Sequence, residues 1–195
     1  MGYTENEITD MCHAAISDIS NFYNSDFVNY QGMSTDTHRL YTEIIAEYII
    51  GNISSFQNGI RRITRENSYK TKTHDGEINP DSNRMEENIA KRMFKQCQNV
   101  SFDYICRIID YQIPLKNKQS DNAGKIDLLS DNGKSYTILE LKRPDSTETM
   151  LRCVLEGYTY FKTVDKSKLL KDFGRPDIYE IRFAPFVFKD SIQYK

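Results

Sequence analysis

Lys125-Ile126-Asp127-Leu128-Leu129-Ser130-Asp131-Asn132-Gly133-Lys134-Ser135-Tyr136-Thr137-Ile138-Leu139-Glu140-Leu141-Lys142 is the stretch that decides the fold. Two β-rich runs flank an Asn-Gly pair, the strongest short-range hairpin signal. Read as a two-residue loop, the turn sets Asp131 against Lys134 and Asp127 against Ile138. Strand side chains alternate between faces. Asp127, Ile138, Glu140 and Lys142 therefore share one face, and Leu128, Leu139 and Leu141 the other. Glu140 becomes the diagonal neighbour of Asp127, with Cα atoms roughly 7–8 Å apart. Two carboxylates so placed can hold one cation between them. A one-residue slip would send them to opposite faces.

Upstream, Ser82 or Asn83 can cap a helix after Asp81, with Glu86 and Glu87 in its first turn, where the helix dipole favours anions. Its apolar face is Met85, Ile89, Met93, Phe94 and Cys97. Tyr104–Leu115 reads as a strand that Pro114 places near its end or at an edge. Downstream, Pro144 stops the third strand, and Asp145 with Glu148 resembles a capping box. The helix that follows buries Met150, Leu151, Val154, Leu155, Tyr158 and Phe161. Gly174 and Pro176 break the chain before a last strand over Tyr179–Phe188. The order helix, strand, strand, strand, helix, strand predicts α/β architecture with a mixed central sheet.

The N-terminal third reads as helical. Ile8, Met11, Cys12, Ala15, Ile16, Ile19 and Phe22/Tyr23 form one stripe. Thr35 or Asp36 can cap a second helix carrying Leu40, Ile44, Ile45, Tyr48 and Ile49. Residues 64–84 are strongly polar, with Tyr69 and Ile78 the large apolar exceptions. They predict a mobile functional loop or a disordered connector. The division expected is 1–63 as a helical extension packed on the core, 64–83 as loop or linker, and 84–195 as the main domain.

The chain has 195 residues, 38% hydrophobic and 28% charged, enough apolar content for a packed core. No apolar run approaches the roughly 20 residues of a membrane-spanning helix, and the first residues lack a signal-peptide pattern. Four cysteines without metal-like spacing fit a reducing, cytoplasmic setting. The formal net charge is −2. Residues 1–83 carry the acidic excess and residues 84–195 a mild basic one, an asymmetry that can mark a polyanion-facing region as well as an ordinary solvated surface.

Gly124-Lys125-Ile126-Asp127 followed by Ile138-Leu139-Glu140-Leu141-Lys142 resembles the PD-(D/E)XK nuclease superfamily, the restriction-endonuclease-like fold. The form is similar to nuclease domains of type I restriction subunits. Ile126 stands where the motif has proline. The resemblance covers about residues 84–188. It implies an αβββαβ core and a Mg²⁺-dependent phosphodiesterase, with Mn²⁺ able to substitute, acting on DNA or less often RNA. Asp127, Glu140 and the Leu141 carbonyl would then hold the metal. Lys142 would position water or stabilise developing charge, and Glu86, with Glu87 as runner-up, would add the helix acid the superfamily often carries.

Independently of that resemblance, Glu140-Leu141-Lys142 is the one acid-x-Lys triplet in the chain, in register with an upstream Asp. Lys116, Lys118, Lys125, Arg143 and Arg152 are candidate phosphate contacts. Arg152 with Glu148 and Glu156 also fits an i,i+4 ladder. The expected partner is nucleic acid, foremost DNA, with no membrane; a homodimer is open. The competing reading is a non-catalytic nucleic-acid-binding or protein-interaction module on the same fold. A nucleotide enzyme lacks support, since no P-loop or GxGxxG is present.

Overall fold

The structure, a computed structural model, describes residues 2–78, 82–97 and 99–194. One mixed sheet contains β1 (Arg107–Pro114), β2 (Lys125–Asp131), β3 (Ser135–Leu141) and β4 (Glu180–Phe186), in that order. The first three form an antiparallel meander, and β4 runs parallel to β3. Six α-helices accompany it among the described residues: α1 (Glu5–Ala15), α2 (Tyr41–Gly51), α3 (Ile53–Gly59), α4 (Met85–Cys97), α5 (Met150–Thr163) and α6 (Lys166–Asp172). A parallel step needs a crossover connection, and α5 with α6 supplies it.

Both faces of the sheet are covered, which is why β2 and β3 are buried at most positions, polar residues included. On one face Ala90 and Cys97 of α4 meet Ile108, Tyr111, Leu128, Leu139 and Leu141. On the other, Tyr160, Val164, Leu169 and Leu170 pack with Ile113, Tyr136 and Ile138. No helix among the described residues is long and apolar enough to cross a membrane.

The N-terminal stripe does not remain one helix. α1 stops at Ala15, and Ile16–Asn24 coil more tightly as 3₁₀ turns, with Asp18 outside helical range at φ −124°, ψ 68°. α2 begins at Tyr41 rather than after Thr35 or Asp36. Asp36 serves α1 instead: its Oδ1 accepts the Glu5 N–H at 3.0 Å, beside a Thr4–Glu7 capping box.

The helix after Pro144 also starts later than the Asp145–Glu148 pair suggests. Thr149 caps α5 by accepting the Arg152 N–H, while its hydroxyl donates to the Val28 carbonyl at 2.7 Å. α5 buries Cys153, Leu155, Gly157, Thr159, Tyr160 and Thr163, not a single stripe. It is clasped from two sides, since Leu155 joins the N-terminal cluster of Ile8, Cys12, Phe22, Ile45 and Phe56.

The polar stretch is neither a free loop nor a loose connector over its described part. Tyr69 is fully buried. Its hydroxyl donates to the Ile63 carbonyl and accepts the Asp165 N–H, and its own N–H donates to Asp172 Oδ2 at 2.8 Å. His74 Nδ1 lies 2.5 Å from Asp110 Oδ1, and the ring stacks on Tyr111. Asn79, Pro80 and Asp81 of this stretch lie outside the described residues.

The hairpin turn is longer than two residues. Asp131 faces Tyr136 and Leu128 faces Leu139, an offset of two from the expected register. The cause is side-chain bonding within the turn. Asn132 Oδ1 accepts the N–H groups of Lys134 and Ser135 at 2.8 and 2.7 Å, and Asp131 Oδ1 accepts that of Gly133, which sits at φ +86°. An even offset leaves every side chain on its expected face.

Asp131 anchors this end of the sheet. Its carboxylate takes Arg175 at 2.5 Å, Arg107 at 3.3 Å and the Tyr179 hydroxyl. Burial alone would raise its pKa, but the Tyr179, Gly133 and Arg175 bonds outweigh burial and hold it below the usual 3.8. A depressed acid contributes stability above its unfolded pKa and loses it as pH falls through the folded value. Asp131→Asn is therefore expected to cost about 1–3 kcal/mol at neutral pH. Urea midpoints measured from pH 2 to 7 should also fall less steeply on the acid side than in wild type. Parallel curves would sink this assignment.

Candidate active site

β1 pairs with β2 so that Tyr111 faces Leu128 and Ile113 faces Ile126. Gln112 therefore stands opposite Asp127. Carrying the β2–β3 register one step beyond Leu128–Leu139 sets Asp127 opposite Glu140. On that extension the two acids become cross-strand neighbours rather than diagonal ones, just past the last pair of the ladder, Leu128 with Leu139. Gln112 Nε2 donates to Asp127 Oδ1 at 2.8 Å, and the Leu141 N–H donates to Asp127 Oδ2 at 3.0 Å. Leu141 thus turns its N–H to the acid.

Glu140 and Lys142 lie one layer inward, at 2% and 3% exposure. Lys142 Nζ is ringed by three carboxylates: Glu140 at 3.0 Å, Glu148 at 2.9 Å and Glu156 at 2.7 Å. α5 comes this close because residue 157 is glycine; a Cβ there would sit 3.1 Å from the Glu140 Cβ. The Tyr160 hydroxyl donates to Glu156 Oε1 at 2.8 Å.

Charge in this site is unbalanced. Burial opposes the Lys142 ammonium, but Glu140 and Glu156 more than offset it and raise its pKa. Burial likewise disfavours the Glu156 carboxylate, yet Lys142 and Tyr160 hold its pKa below the ordinary value. Those two form a settled pair. Asp127 and Glu140 are left short of positive charge. Burial, opposed by the Leu141 N–H and Lys142, pushes Asp127 up to about 7. Burial, then Asp127, then Glu156 push Glu140 well above 4.5. Glu140 Oε2 is buried with no N–H or O–H donor of another group, and the Glu140 carboxyl lies within hydrogen-bond reach of Glu156.

A cleft of about 660 Å³ opens at Asp127. Its walls include Gln112, Lys125, Arg84, Glu86, Arg143 and Glu148. Glu86 accepts the Arg143 N–H at 3.3 Å and adds to the negative field on Asp127. Glu87 also lines the cleft but is paired with Lys91 and Arg84. Glu86 is therefore the helix acid turned to Asp127.

Of the basic candidates, Lys125 and Arg143 reach the cleft. Lys116 and Lys118 sit exposed on the loop between β1 and β2, away from the cleft lining. Arg152 is taken up by structure: it pairs with Glu148 at 2.9 Å, bonds Asn24 Oδ1 at 2.9 Å and lies over the Tyr23 ring. The ladder expected from Glu148 through Arg152 to Glu156 stops halfway, because Glu156 turns to Lys142.

Sequence reasoning missed Gln112, Glu156 and Tyr160. For the last two a signal existed: a glycine directly after Glu156, where a sheet must approach, and a tyrosine one turn on. Among the described residues no three His, Cys, Asp or Glu side chains gather as a metal-holding group. Asp127 and Glu140 nevertheless fit a hard divalent cation in donor type: the neighbouring ammonium, Lys142, is divided among three carboxylates, and Glu140 Oε2 is left without a donor. Comparison with protein-family models, with curated proteins and with solved structures finds no match to this chain.

Proposed function

We propose that the protein is a metal-dependent nuclease that hydrolyses phosphodiester bonds of DNA or RNA, built on a restriction-endonuclease-like core. The observation that carries this reading is the Asp127–Glu140 pair behind a cleft, where the neighbouring ammonium, Lys142, is divided among Glu140, Glu148 and Glu156 and one oxygen of Glu140 has no donor. The element order α4, β1, β2, β3, α5, α6, β4 contains the succession expected of that core, with α6 added before β4. Asp127 and Glu140 would hold Mg²⁺ or Mn²⁺. The bound ion supplies a Lewis acid for the phosphate and lowers the pKa of a water.

The chain's own groups do the rest. Lys125, Arg84 and Arg143 at the cleft wall attract and orient a polyanion. Leu141 and Gln112 fix the Asp127 carboxylate by one N–H on each oxygen. Lys142 holds Glu140 in place and keeps a positive charge beside the acids. Glu86 stands across the mouth, where its carboxylate can accept a proton or orient a water.

The test is a cleavage screen of the full chain on single- and double-stranded DNA and RNA with Mg²⁺ or Mn²⁺. Cleavage that EDTA stops is expected, and intact substrates with both ions would overturn the reading. The burial of Lys142 among three carboxylates favours the second reading, a binding module that does not cut. Retention of nucleic acid without hydrolysis would identify it.

A further inference from the structure

Gln112 reaches the cleft through a fault in β1. Arg107 faces Asp131 and Ile108 faces Ser130, but from Asp110 opposite Leu129 onward the register has moved by one. Had the first register continued, Tyr111 would face Asp127. The extra residue brings Gln112 there instead, which is how bulges re-aim side chains beside sites. The backbone of Gln112 is left-handed, at φ +47°, a conformation that costs on the order of 1–2 kcal/mol for a residue with a Cβ. The surrounding sheet holds it there.

The outcome is three polar side chains abreast on three adjacent strands: Gln112, Asp127 and Glu140. Asp127 Oδ2 accepts the Leu141 N–H, so the carboxylate keeps that anchor if the Gln112 amide turns away from Oδ1. A hard cation between the two acids needs more oxygen donors than they supply. No further acid, His or Cys completes a group among the described residues, and Glu140 Oε2 has no donor. A carboxamide alone among neutral side chains offers a donor face and a carbonyl face of nearly the same shape. It serves the ion-free and the ion-bound site alike.

Resting on the cation-site reading above, we propose that Gln112 is a third oxygen ligand of that site, its amide donating to Asp127 without an ion and presenting its carbonyl when one is bound. The test is calorimetric titration of MnCl₂ into the full chain, with Mn²⁺ paramagnetic resonance as a second readout. Gln112→Leu should weaken Mn²⁺ binding on the order of tenfold. Gln112→Glu, which keeps an oxygen and loses the donor, should tighten it. A role limited to supporting Asp127 predicts weakening in both variants. That result, or unchanged affinity in Gln112→Leu, overturns the proposal. If Gln112→Leu does not fold, the direction of the Gln112→Glu change decides alone. Asp127→Asn separates the two levels of inference. Wild type without saturable Mn²⁺ binding, or Asp127→Asn binding as wild type does, removes the cation site itself. Loss in Asp127→Asn with full retention in Gln112→Leu removes only the role of Gln112.

Discussion

Glu140→Gln is expected to abolish metal-dependent cleavage while raising the melting temperature of the ion-free protein. The two effects have one origin. Glu140 is 2% exposed, shares its surroundings with Asp127 and Glu156, and has one carboxylate oxygen without a donor. An ionised acid so placed is costly when the ammonium beside it, Lys142, is also claimed by Glu148 and Glu156. The amide keeps an oxygen to accept from Lys142, which lies 3.0 Å from Oε1, and puts a donor where that other oxygen stood. Losing a cation ligand removes several kcal/mol of transition-state stabilisation, about a thousandfold in rate or more. Removing a buried, undercompensated charge should stabilise the fold, at about 2–4 °C per kcal/mol for a chain of this size.

The pH dependence follows with a definite sign. An acid whose folded pKa is raised favours the folded state at low pH and withdraws that support as pH rises from its unfolded value through its folded one. For Asp127 that window runs from 3.8 to about 7. Ion-free wild type should thus lose stability across it, and Glu140→Gln should flatten the overall loss by removing the raised titration of Glu140 itself. Thermal unfolding of both proteins in EDTA between pH 5 and 8 measures this, alongside cleavage in Mg²⁺. Cleavage within tenfold of wild type, or a lower melting temperature, would sink the assignment of Glu140.

The sharing of a face by Asp127, Glu140 and Lys142 is legible from alternation alone, although the turn is two residues longer than a tight Asn-Gly loop. Side-chain periodicity of two makes an even error silent. Gln112 was not legible, because a bulge between Ile108 and Asp110 changes the phase of β1, and no local pattern in that strand announces it. Arg152 looked like a phosphate contact because charge on a helix reads the same whether it meets solvent or a second layer. Its partner Asn24 is 128 residues away. The polar stretch failed for the same reason, since Tyr69 and His74 find Asp172, Asp165 and Asp110 only in the folded chain. Short-range signals located the strands; the ties that organise the site are long-range.

Gly124→Ala is expected to be among the most damaging single substitutions, although it adds one methyl group at a loop residue. A Cβ at position 124 would lie 2.1 Å from the Tyr160 hydroxyl and 2.6 Å from its ring carbon. Tyr160 cannot step aside cheaply: it is 6% exposed, set edge-on to Tyr23, and bonded to Glu156. Overpacking of this kind costs about 1–3 kcal/mol. Moving the hydroxyl also strips Glu156 of a donor, about 1–3 kcal/mol more for a buried acceptor, and loosens the carboxylate that steadies Lys142. The expected result is a drop in the urea midpoint of several kcal/mol equivalent, together with weakened Mn²⁺ binding at a site Gly124 does not touch. Tyr160→Phe should cost only the hydrogen-bond share. Combined with Gly124→Ala it should give a loss smaller than the sum, because removing the hydroxyl relieves the closest clash. Strict additivity would show that the methyl group acts somewhere other than on Tyr160, and the link from residue 124 through Tyr160 and Glu156 to Lys142 would fail.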